Sequence, residues 1–319
     1  MNRRKLWKQL VAIAVLVTLV GTGSFVVGNW QPDQPVEALI GKWAQPPSTF
    51  VELQGMNVHL RDEGPRDDPL PIVLLHGTGA SLHTWDGWVE VLSQERRVIR
   101  FDLPGFGLTG PNADGDYGVN RYTEFVAAML DSIGVEKTVL GGNSLGGNIA
   151  WATAVRYPER VDKLVLLNAT GYDFKPESVP IGFTLARIPV VRNMIRNVMP
   201  RDAVRSSIES VYGDPSRVTP ELVDLYFDIS TREGNRTALM QRLEQLEGGG
   251  MAHLIKEVSQ PTLILWGRKD RLVPVINAER FDADIDGSEL VVWDDLGHVP
   301  HEEDPARTVQ AVQAFLEAD

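Results

Sequence analysis

Short apolar runs alternate with segments of helical periodicity along most of this chain, and that alternation constrains the fold more than any other feature. The apolar runs lie in PIVLLHG, RVIRFDLPG, KTVLGGNS, KLVLLNAT, TLILWGRKD and ELVVWDDLGH. Each is nearly continuous and bounded by turn residues, which is typical of strands buried on both faces. Two more strands are predicted around Gly55. The pattern therefore predicts an α/β fold with a mostly parallel, eight-stranded sheet covered by helices on both faces.

The interval between Thr170 and Pro261 interrupts this rhythm, because it contains no convincing strand. Helix breaks and starts fall within it at Pro189, Pro200, Thr219–Pro220 and Gly248–Gly250. A helical insertion between two strands predicts a cap over the carboxyl edge of the sheet, where ligands bind in such folds. We expect an α/β core formed by residues 48–171 and 252–319, with a helical cap at residues 172–251.

The N-terminus carries a basic segment followed by an uncharged apolar run. Residues 1–8 are rich in arginine and lysine, and the run Leu10–Gly28 would span about 28 Å as a helix. That length matches the hydrocarbon core of a bilayer, and basic flanks stay in the cytoplasm. Residues 9–28 are thus predicted to be a transmembrane anchor, with the proline-rich residues 29–47 as a linker.

This topology places the α/β domain on the extracytoplasmic side of the membrane. The alternative is a cleaved signal peptide and a secreted protein. A signal peptide has a shorter apolar region of about 7–15 residues and an A-x-A-like cleavage site. No such site is present, although Gly21 and Gly23 are small.

Composition excludes several classes of function. A net charge of -12 argues against a nucleic-acid partner, because phosphate binding requires clustered lysine and arginine. The absence of cysteine excludes disulfides, thiolate metal sites and a cysteine nucleophile. No histidine and aspartate cluster has the spacing of metal ligands, so neither a metal nor another cofactor is expected.

The motif G-x-S-x-G occurs once as Gly142-Asn143-Ser144-Leu145-Gly146, between a predicted strand and a predicted helix. A serine in such a turn occupies a strained backbone conformation, and side chains at the flanking glycines would collide with the strand and helix. The helix dipole also favours negative charge that develops near the hydroxyl. Ser144 is therefore the candidate nucleophile, and the alternative is a serine that only caps the helix.

A serine nucleophile requires a base and an orienting acid. His298 directly follows the last predicted strand, whereas His301 is expected at the surface or near the start of the final helix. Asp270 is the first carboxylate after its strand, although it could instead be a turn residue paired with a nearby arginine. Asp102 precedes the serine and more plausibly holds a loop. Ser144, Asp270 and His298 are the predicted catalytic residues.

An oxyanion hole requires backbone N–H donors beside the nucleophile. The N–H of Leu145, which follows the serine, is one candidate. The second donor is expected in HGTGAS, with Thr78 the first candidate and Gly79 the second. Glycine there lets the backbone approach a ligand closely.

Taken together, LLHGTGASLHTW, RFDLPGFGLTG, GGNSLGGNIAWATAVRYPERVDKLVLLN, LILWGRKDRLVP and LGHVPHEEDP resemble the α/β-hydrolase fold family from about Val51 to Glu317. The resemblance implies the same nucleophile, acid and base, in the order Ser144, Asp270, His298. It also implies that Gly171–Met251 forms the family's helical cap.

The resemblance leaves the reaction open. Relatives with an aspartate nucleophile, the haloalkane dehalogenases and epoxide hydrolases, are disfavoured by Ser144. The elbow GNSLGG is similar to that of hydrolases that cleave carbon–carbon bonds in ring-fission products, yet their oxyanion loop usually carries GPG where this chain has GTGAS. Cofactor-free haloperoxidases and proline iminopeptidases share the triad too.

We expect hydrolysis of a carboxylic ester through an acyl-enzyme intermediate, with a small-molecule substrate that has an apolar part. The apolar cap residues are Phe183, Leu185, Val190, Met194, Ile195, Met199, Tyr226, Phe227 and Met240. Most of them are expected to pack between helices, and a few are expected to line an apolar pocket that would hold this part of the substrate. The alternatives are a carbon–carbon bond hydrolase and a non-catalytic, membrane-anchored binding protein.

Overall fold

The sheet has the predicted number of strands, and most of its strands are parallel, as predicted. The computed structural model describes residues 3–186, 197–246 and 248–318. Its strands are β1 Thr49–Leu53, β2 Met56–Glu63, β3 Ile72–Leu75, β4 Val98–Phe101, β5 Thr138–Asn143, β6 Val161–Leu167, β7 Thr262–Gly267 and β8 Glu289–Trp293. They form one eight-stranded sheet in the order β1-β2-β4-β3-β5-β6-β7-β8. Strand β2 pairs antiparallel with β1 and with β4. The remaining pairs, from β4 through β3, β5, β6 and β7 to β8, are parallel, which confirms the mostly parallel sheet.

Helices cover both faces of this sheet, and the N-terminal region adds two more. The described helices are α1 Arg3–Gly28, α2 Val36–Trp43, α3 Asp86–Leu92, α4 Val119–Ser132, α5 Leu145–Arg156, α6 Ile181–Ala186, α7 Arg201–Glu209, α8 Pro220–Thr231, α9 Asn235–Glu244, α10 Ile276–Asp284, α11 Pro300–Glu303 and α12 Pro305–Glu317. Trp151 and Phe281 belong to the apolar layer on one face of the sheet, and Trp88 and Phe315 to the layer on the other. The central strands are buried on both faces, which explains their continuous apolar sequences.

In the described part of the interval between β6 and β7, the α-helices are α6 to α9. Helix α7 starts directly after Pro200, and α8 starts at Pro220 with the Thr219 side chain accepting a hydrogen bond from the N–H of Leu222 at 3.2 Å. Pro220 lies in the first turn of α8, where proline is favoured, whereas Pro200 is the residue directly before α7. The predicted break at Pro189 lies outside the described residues.

Helix α1 contains the apolar run of the N-terminus. Residues Trp7–Gly28 are long and apolar enough to cross a membrane, and none of this segment is buried in the protein. Length and composition alone also fit a signal sequence.

The predicted linker at residues 29–47 is not a free spacer, because it is attached to the helical cap. The N–H of Gln31 donates to the carbonyl of Asn197 at 2.7 Å, and the N–H of Gln34 donates to the carbonyl of Thr231 at 2.7 Å. The segment also contains α2, whose Lys42 forms an ion pair with Asp228 of α8 at 2.8 Å. The prolines limit helix formation here but do not prevent the backbone from pairing with the cap.

A buried glutamate of α11 joins the helical cap to the core. One carboxylate oxygen of Glu303 accepts hydrogen bonds from the N–H groups of Gly213 at 2.8 Å and Asp214 at 3.3 Å. Its other oxygen accepts a hydrogen bond from the N–H of Gly297 at 2.7 Å. Burial raises the pKa of Glu303, while these three N–H donors oppose that rise. The carboxylate therefore fixes the loop after α7 against the loop after β8.

The preceding residue makes a second set of contacts between the same two regions. Glu302 accepts hydrogen bonds from the hydroxyl groups of Tyr212 at 2.6 Å and Tyr226 at 2.9 Å, both in the helical cap. The Thr84 hydroxyl of the core donates to the same carboxylate. Burial raises the pKa of Glu302 as well. Two consecutive carboxylates thus contact the cap through four donors, and they contact the core through Gly297 and Thr84.

We expect Glu303→Gln to loosen this junction, since one acceptor oxygen becomes an amide group that faces N–H donors. Hydrogen bonds to charged groups contribute about 1.5–3 kcal/mol, so the free energy of unfolding should fall by about 2 kcal/mol. Hydrogen exchange should accelerate at the amides of Gly213 and Gly297. Glu289→Gln, at the exposed start of β8, is the matched control. Unchanged exchange at both amides would contradict the assigned role of Glu303.

Candidate active site

The candidate nucleophile lies in a strained turn between β5 and α5. Ser144 has φ 56° and ψ -113°, a conformation that residues with side chains rarely adopt. Its N–H donates to the carbonyl of Leu167 at 3.0 Å, and its carbonyl accepts from the N–H of Asn148 at 3.0 Å. These bonds to β6 and α5 hold the strained residue between two rigid elements.

The flanking glycines allow this turn because no side chain fits at either position. A Cβ atom on Gly142 would lie 2.3 Å from the carbonyl carbon of Gly146. A Cβ atom on Gly146 would lie 2.1 Å from the carbonyl oxygen of Leu75, at the end of β3. The G-x-S-x-G spacing therefore follows from the close approach of β3, β5 and the first turn of α5.

Asp270 and His298 meet at the carboxyl ends of β7 and β8. The Nδ1 atom of His298 lies 2.7 Å from Oδ2 of Asp270, and each residue is 4% exposed. The other carboxylate oxygen accepts from the N–H groups of Leu272 and Val273, both at 2.8 Å. Because an ionised carboxylate only accepts hydrogen bonds, Nδ1 carries the proton and Nε2 is left as the basic nitrogen.

Two asparagines that the sequence analysis did not assign hold these residues in place. The Nδ2 group of Asn168, at the end of β6, donates to Oδ2 of Asp270 at 2.7 Å. The Nδ2 group of Asn143, at the end of β5, donates to the carbonyl of His298 at 2.9 Å. The signal in the sequence is an asparagine that closes an otherwise apolar strand, in GGNS and in LLNAT.

Ser144 and His298 line the same cavity, which has a volume of about 800 Å³. Among the hydrogen bonds of the described residues, none joins the Ser144 hydroxyl to the His298 ring. Of the hydrogen bonds expected in the predicted triad, the one between Asp270 and His298 is formed and the one between Ser144 and His298 is not. Such contacts are often long without substrate and shorten in the substrate complex.

The candidate oxyanion donors lie beside the serine. Thr78 and Gly79 line the cavity, and Leu145 is the first residue of α5. Within the described part of the chain, the N–H groups of Thr78 and Leu145 donate to no acceptor. Gly79 has φ +78°, a left-handed conformation that favours glycine. Two free N–H groups beside a hydroxyl at a helix N-terminus can stabilise an anion.

The other candidates for base and acid have structural roles. His301 lies in α11 directly before the final helix, which is one of its two predicted positions. It is not at the surface, because it is 1% exposed and its ring stacks on Trp85 with ring centroids 4.2 Å apart. Burial lowers the pKa of His301 to about 3. Asp102 accepts from the N–H groups of Leu82 and Leu108, both at 2.7 Å, and so holds the loops around it, as predicted.

The cavity wall is mostly apolar, in agreement with the expectation from the cap sequence. The cavity is lined by Phe183, Met199, Tyr226 and Met240 of the predicted set, whereas Phe227 instead lies under the guanidinium of Arg201 at 5.2 Å. The predictions for Val190, Met194, Ile195 and the side chain of Leu185 fall outside the described residues. Phe25 of α1 also lines the cavity and is 54% exposed, so the wall reaches the surface beside the N-terminal helix.

Metal chemistry was not expected from the sequence. Over residues 3–186, 197–246 and 248–318, no group of three or more histidine, cysteine, aspartate or glutamate residues could hold a metal ion.

The similar known proteins include hydrolases of dienoate and meta-cleavage compounds. The chain is 33% identical to a 2-hydroxy-6-oxo-2,4-heptadienoate hydrolase of Pseudomonas putida over 83% of this chain and 94% of that protein. A solved meta-cleavage product hydrolase of Pseudomonas fluorescens is 28% identical, with a TM-score of 0.73 over 84% of this chain and 97% of the other.

Another similar structure extends over the N-terminal helix. A membrane phospholipase A, described as a bacterial virulence factor, is 25% identical with a TM-score of 0.73 and covers 97% of this chain and 98% of its own. The model of the alpha/beta hydrolase family matches residues 72–311, which contain the elbow, the acid and the histidine. The chain is therefore a member of the α/β hydrolase family.

Proposed function

We propose that this protein is a membrane-anchored serine hydrolase that cleaves carboxylic esters of long-chain acids, with membrane lipids as the substrate class. The observation that supports the proposal is the set of residues that line one cavity. It contains Ser144 and His298, its wall is mainly apolar, and it reaches Phe25 of the N-terminal helix. An apolar acyl chain bound there would place its ester carbonyl at the serine.

The proposed reaction uses the triad in two half-reactions. The basic Nε2 of His298 accepts the proton of the Ser144 hydroxyl as the oxygen attacks the ester carbonyl, and it then protonates the leaving alcohol. Water, activated by the same nitrogen, hydrolyses the acyl-enzyme. Asp270 keeps the proton on Nδ1 and stabilises the imidazolium, while the N–H groups of Leu145 and Thr78, or Gly79 in its place, bind the oxyanion.

Membrane attachment through residues 9–28 is part of this proposal. The apolar segment Trp7–Gly28 has the required length, and the similarity to the membrane phospholipase A includes this region. The basic residues before it favour a cytoplasmic N-terminus and an extracytoplasmic domain. The attachment of residues 29–34 to the helical cap would hold the cavity close to the bilayer.

A second candidate function is hydrolysis of a carbon–carbon bond in a ring-fission product. The sequence relatives favour it, since the dienoate hydrolase shares 33% identity with this chain. A heptadienoate is a seven-carbon carboxylate, so a substrate of that size and charge needs neither a membrane anchor nor a large apolar cavity. For that reason we rank it second.

We expect Ser144→Ala to abolish both fluorophosphonate labelling and hydrolysis of aryl decanoate esters, with kcat falling by at least about 10⁴-fold. Ser207→Ala is the matched control, because this serine lines the same cavity and its hydroxyl donates to a carbonyl within α7. The control should keep both activities. A ring-fission dienoate assayed in parallel separates the two candidates: dienoate turnover without ester turnover would reverse their order.

Chain length gives a second test, directed at the cavity. Burial of one methylene contributes about 0.8 kcal/mol, so kcat/KM should rise about fourfold per added methylene until the cavity is filled. Phe25→Ala should reduce kcat/KM for the longest esters and leave short-chain esters unchanged. A uniform loss across the series, or no dependence on length, would contradict binding of the acyl chain along this wall.

Membrane attachment is testable without any substrate. The full-length protein should remain in the membrane pellet after carbonate extraction, because a membrane-spanning helix is not released from the bilayer at high pH. Recovery of a soluble form that begins near Ser24 would instead indicate a cleaved signal peptide.

A further inference from the structure

Exposed tryptophans mark both ends of the apolar helix α1. Trp7 begins the apolar segment Trp7–Gly28, and Trp30 follows shortly after its end. Their side chains are 69% and 54% exposed, whereas every other tryptophan of the chain is half-buried or buried. The exposed indoles of this protein are therefore confined to the two ends of one helix.

The backbone around Trp30 is held in place by the helical cap. On one side of it, the N–H of Gln31 donates to the carbonyl of Asn197 at 2.7 Å. On the other side, the carbonyl of Asn29 accepts from the N–H of Met199 at 3.0 Å. The indole of Trp30 thus remains exposed although its backbone is fixed. A large apolar side chain held at the surface in this way is typical of a site that binds an apolar partner.

A lipid bilayer is the partner that fits both indoles. Tryptophan is enriched at both membrane–water interfaces, because its ring is apolar and its N–H is polar. The distance along the helix axis from Trp7 to the end of α1 at Gly28 is about 32 Å. The hydrocarbon layer of a bilayer is about 30 Å thick. When the apolar segment fills that layer, Trp7 lies in one headgroup layer and Trp30 in the other.

The position of Trp30 in this arrangement defines the depth of the cavity opening. Phe25 lines the cavity and is exposed. The N–H of Asn29 donates to the carbonyl of Phe25 at 3.1 Å, so one helical turn joins Phe25 to the residue directly before Trp30. Phe25 would therefore lie about 7 Å deeper in the bilayer than Trp30, at the level of the acyl chains.

We propose that Trp7 and Trp30 bind the two headgroup layers of a phospholipid bilayer, and that Trp30 thereby fixes the cavity wall at Phe25 just below the headgroups. An acyl chain could then enter the cavity from the lipid layer itself. This inference rests on the proposed membrane attachment and identifies the surface that contacts the lipid. It gives Trp30 a role in positioning the cavity and none in the reaction.

Quenching of fluorescence by brominated lipids tests the depth of Trp30. The full-length protein is placed in phosphatidylcholine vesicles whose acyl chains carry bromine either near the headgroup or near the chain end. Bromine quenches tryptophan on contact, so the shallow bromine should quench the protein more strongly than the deep one. Trp30→Phe should remove about half of the shallow quenching, because Trp7 supplies the other half. Trp293→Phe is the matched control, since this half-buried indole lies at the end of β8, and it should leave the quenching unchanged.

The effect on the cavity is tested with substrates in two environments. Trp30→Asp places a charge where the indole should contact lipid, so hydrolysis of phosphatidylcholine in vesicles should fall several-fold. Hydrolysis of a short-chain ester in water should not change. Trp30→Tyr should restore the activity on vesicles, because tyrosine also prefers the interface.

The outcomes separate this inference from the proposed reaction. Stronger quenching by the deep bromine, or unchanged quenching in Trp30→Phe, would overturn the inference and leave ester hydrolysis intact. Equally weak quenching by both lipids would place Trp30 against a second copy of the chain and would also overturn it. Failure of the wild-type protein to hydrolyse any ester would reject the proposed reaction, whereas the quenching pattern does not depend on turnover.

Discussion

The site depends on one steric constraint, the contact of β3, β5 and α5 around Ser144. Gly142 and Gly146 bring these backbones so close that only hydrogen atoms fit between them. The serine must then adopt a positive φ, which lifts its hydroxyl out of the sheet edge and into the cavity. Since β5 is a central strand of the sheet, the ends of its neighbours deliver the remaining groups to the same place.

Buried carboxylates organise the loops around that turn by accepting backbone N–H groups. Asp270 accepts from Leu272 and Val273 as well as from the histidine, and Glu303 accepts from both the helical cap and the histidine loop. The N–H of His298 in turn donates to the carbonyl of Val211 in the cap at 2.7 Å. His298 is therefore held by the core and the cap together, so the position of its ring depends on the position of the cap.

Local sequence patterns were sufficient for the eight strands and for the contact between Asp270 and His298, because strand burial and strand order along the chain determine both. They were insufficient for Asn143 and Asn168, whose roles depend on which strands are neighbours in the sheet. The burial of His301 was missed for a similar reason, since Trp85, which stacks on it, is distant in sequence. The attachment of residues 29–47 was missed because proline content describes local conformation and not tertiary pairing.

The attachment of residues 29–47 links the N-terminal helix to the cavity that contains Ser144. Asp33 accepts from the guanidinium of Arg236 at 3.0 Å, and Arg236 itself lines the cavity. The backbone beside it pairs with the cap on both sides, at Asn197 and at Thr231. A displacement of α1 relative to the cap would break these bonds and change the wall that Phe25 shares. The end of α1, the cap and the cavity wall are therefore joined by direct contacts, so they should move together. The solvent or lipid that surrounds α1 lies next to the opening of the cavity.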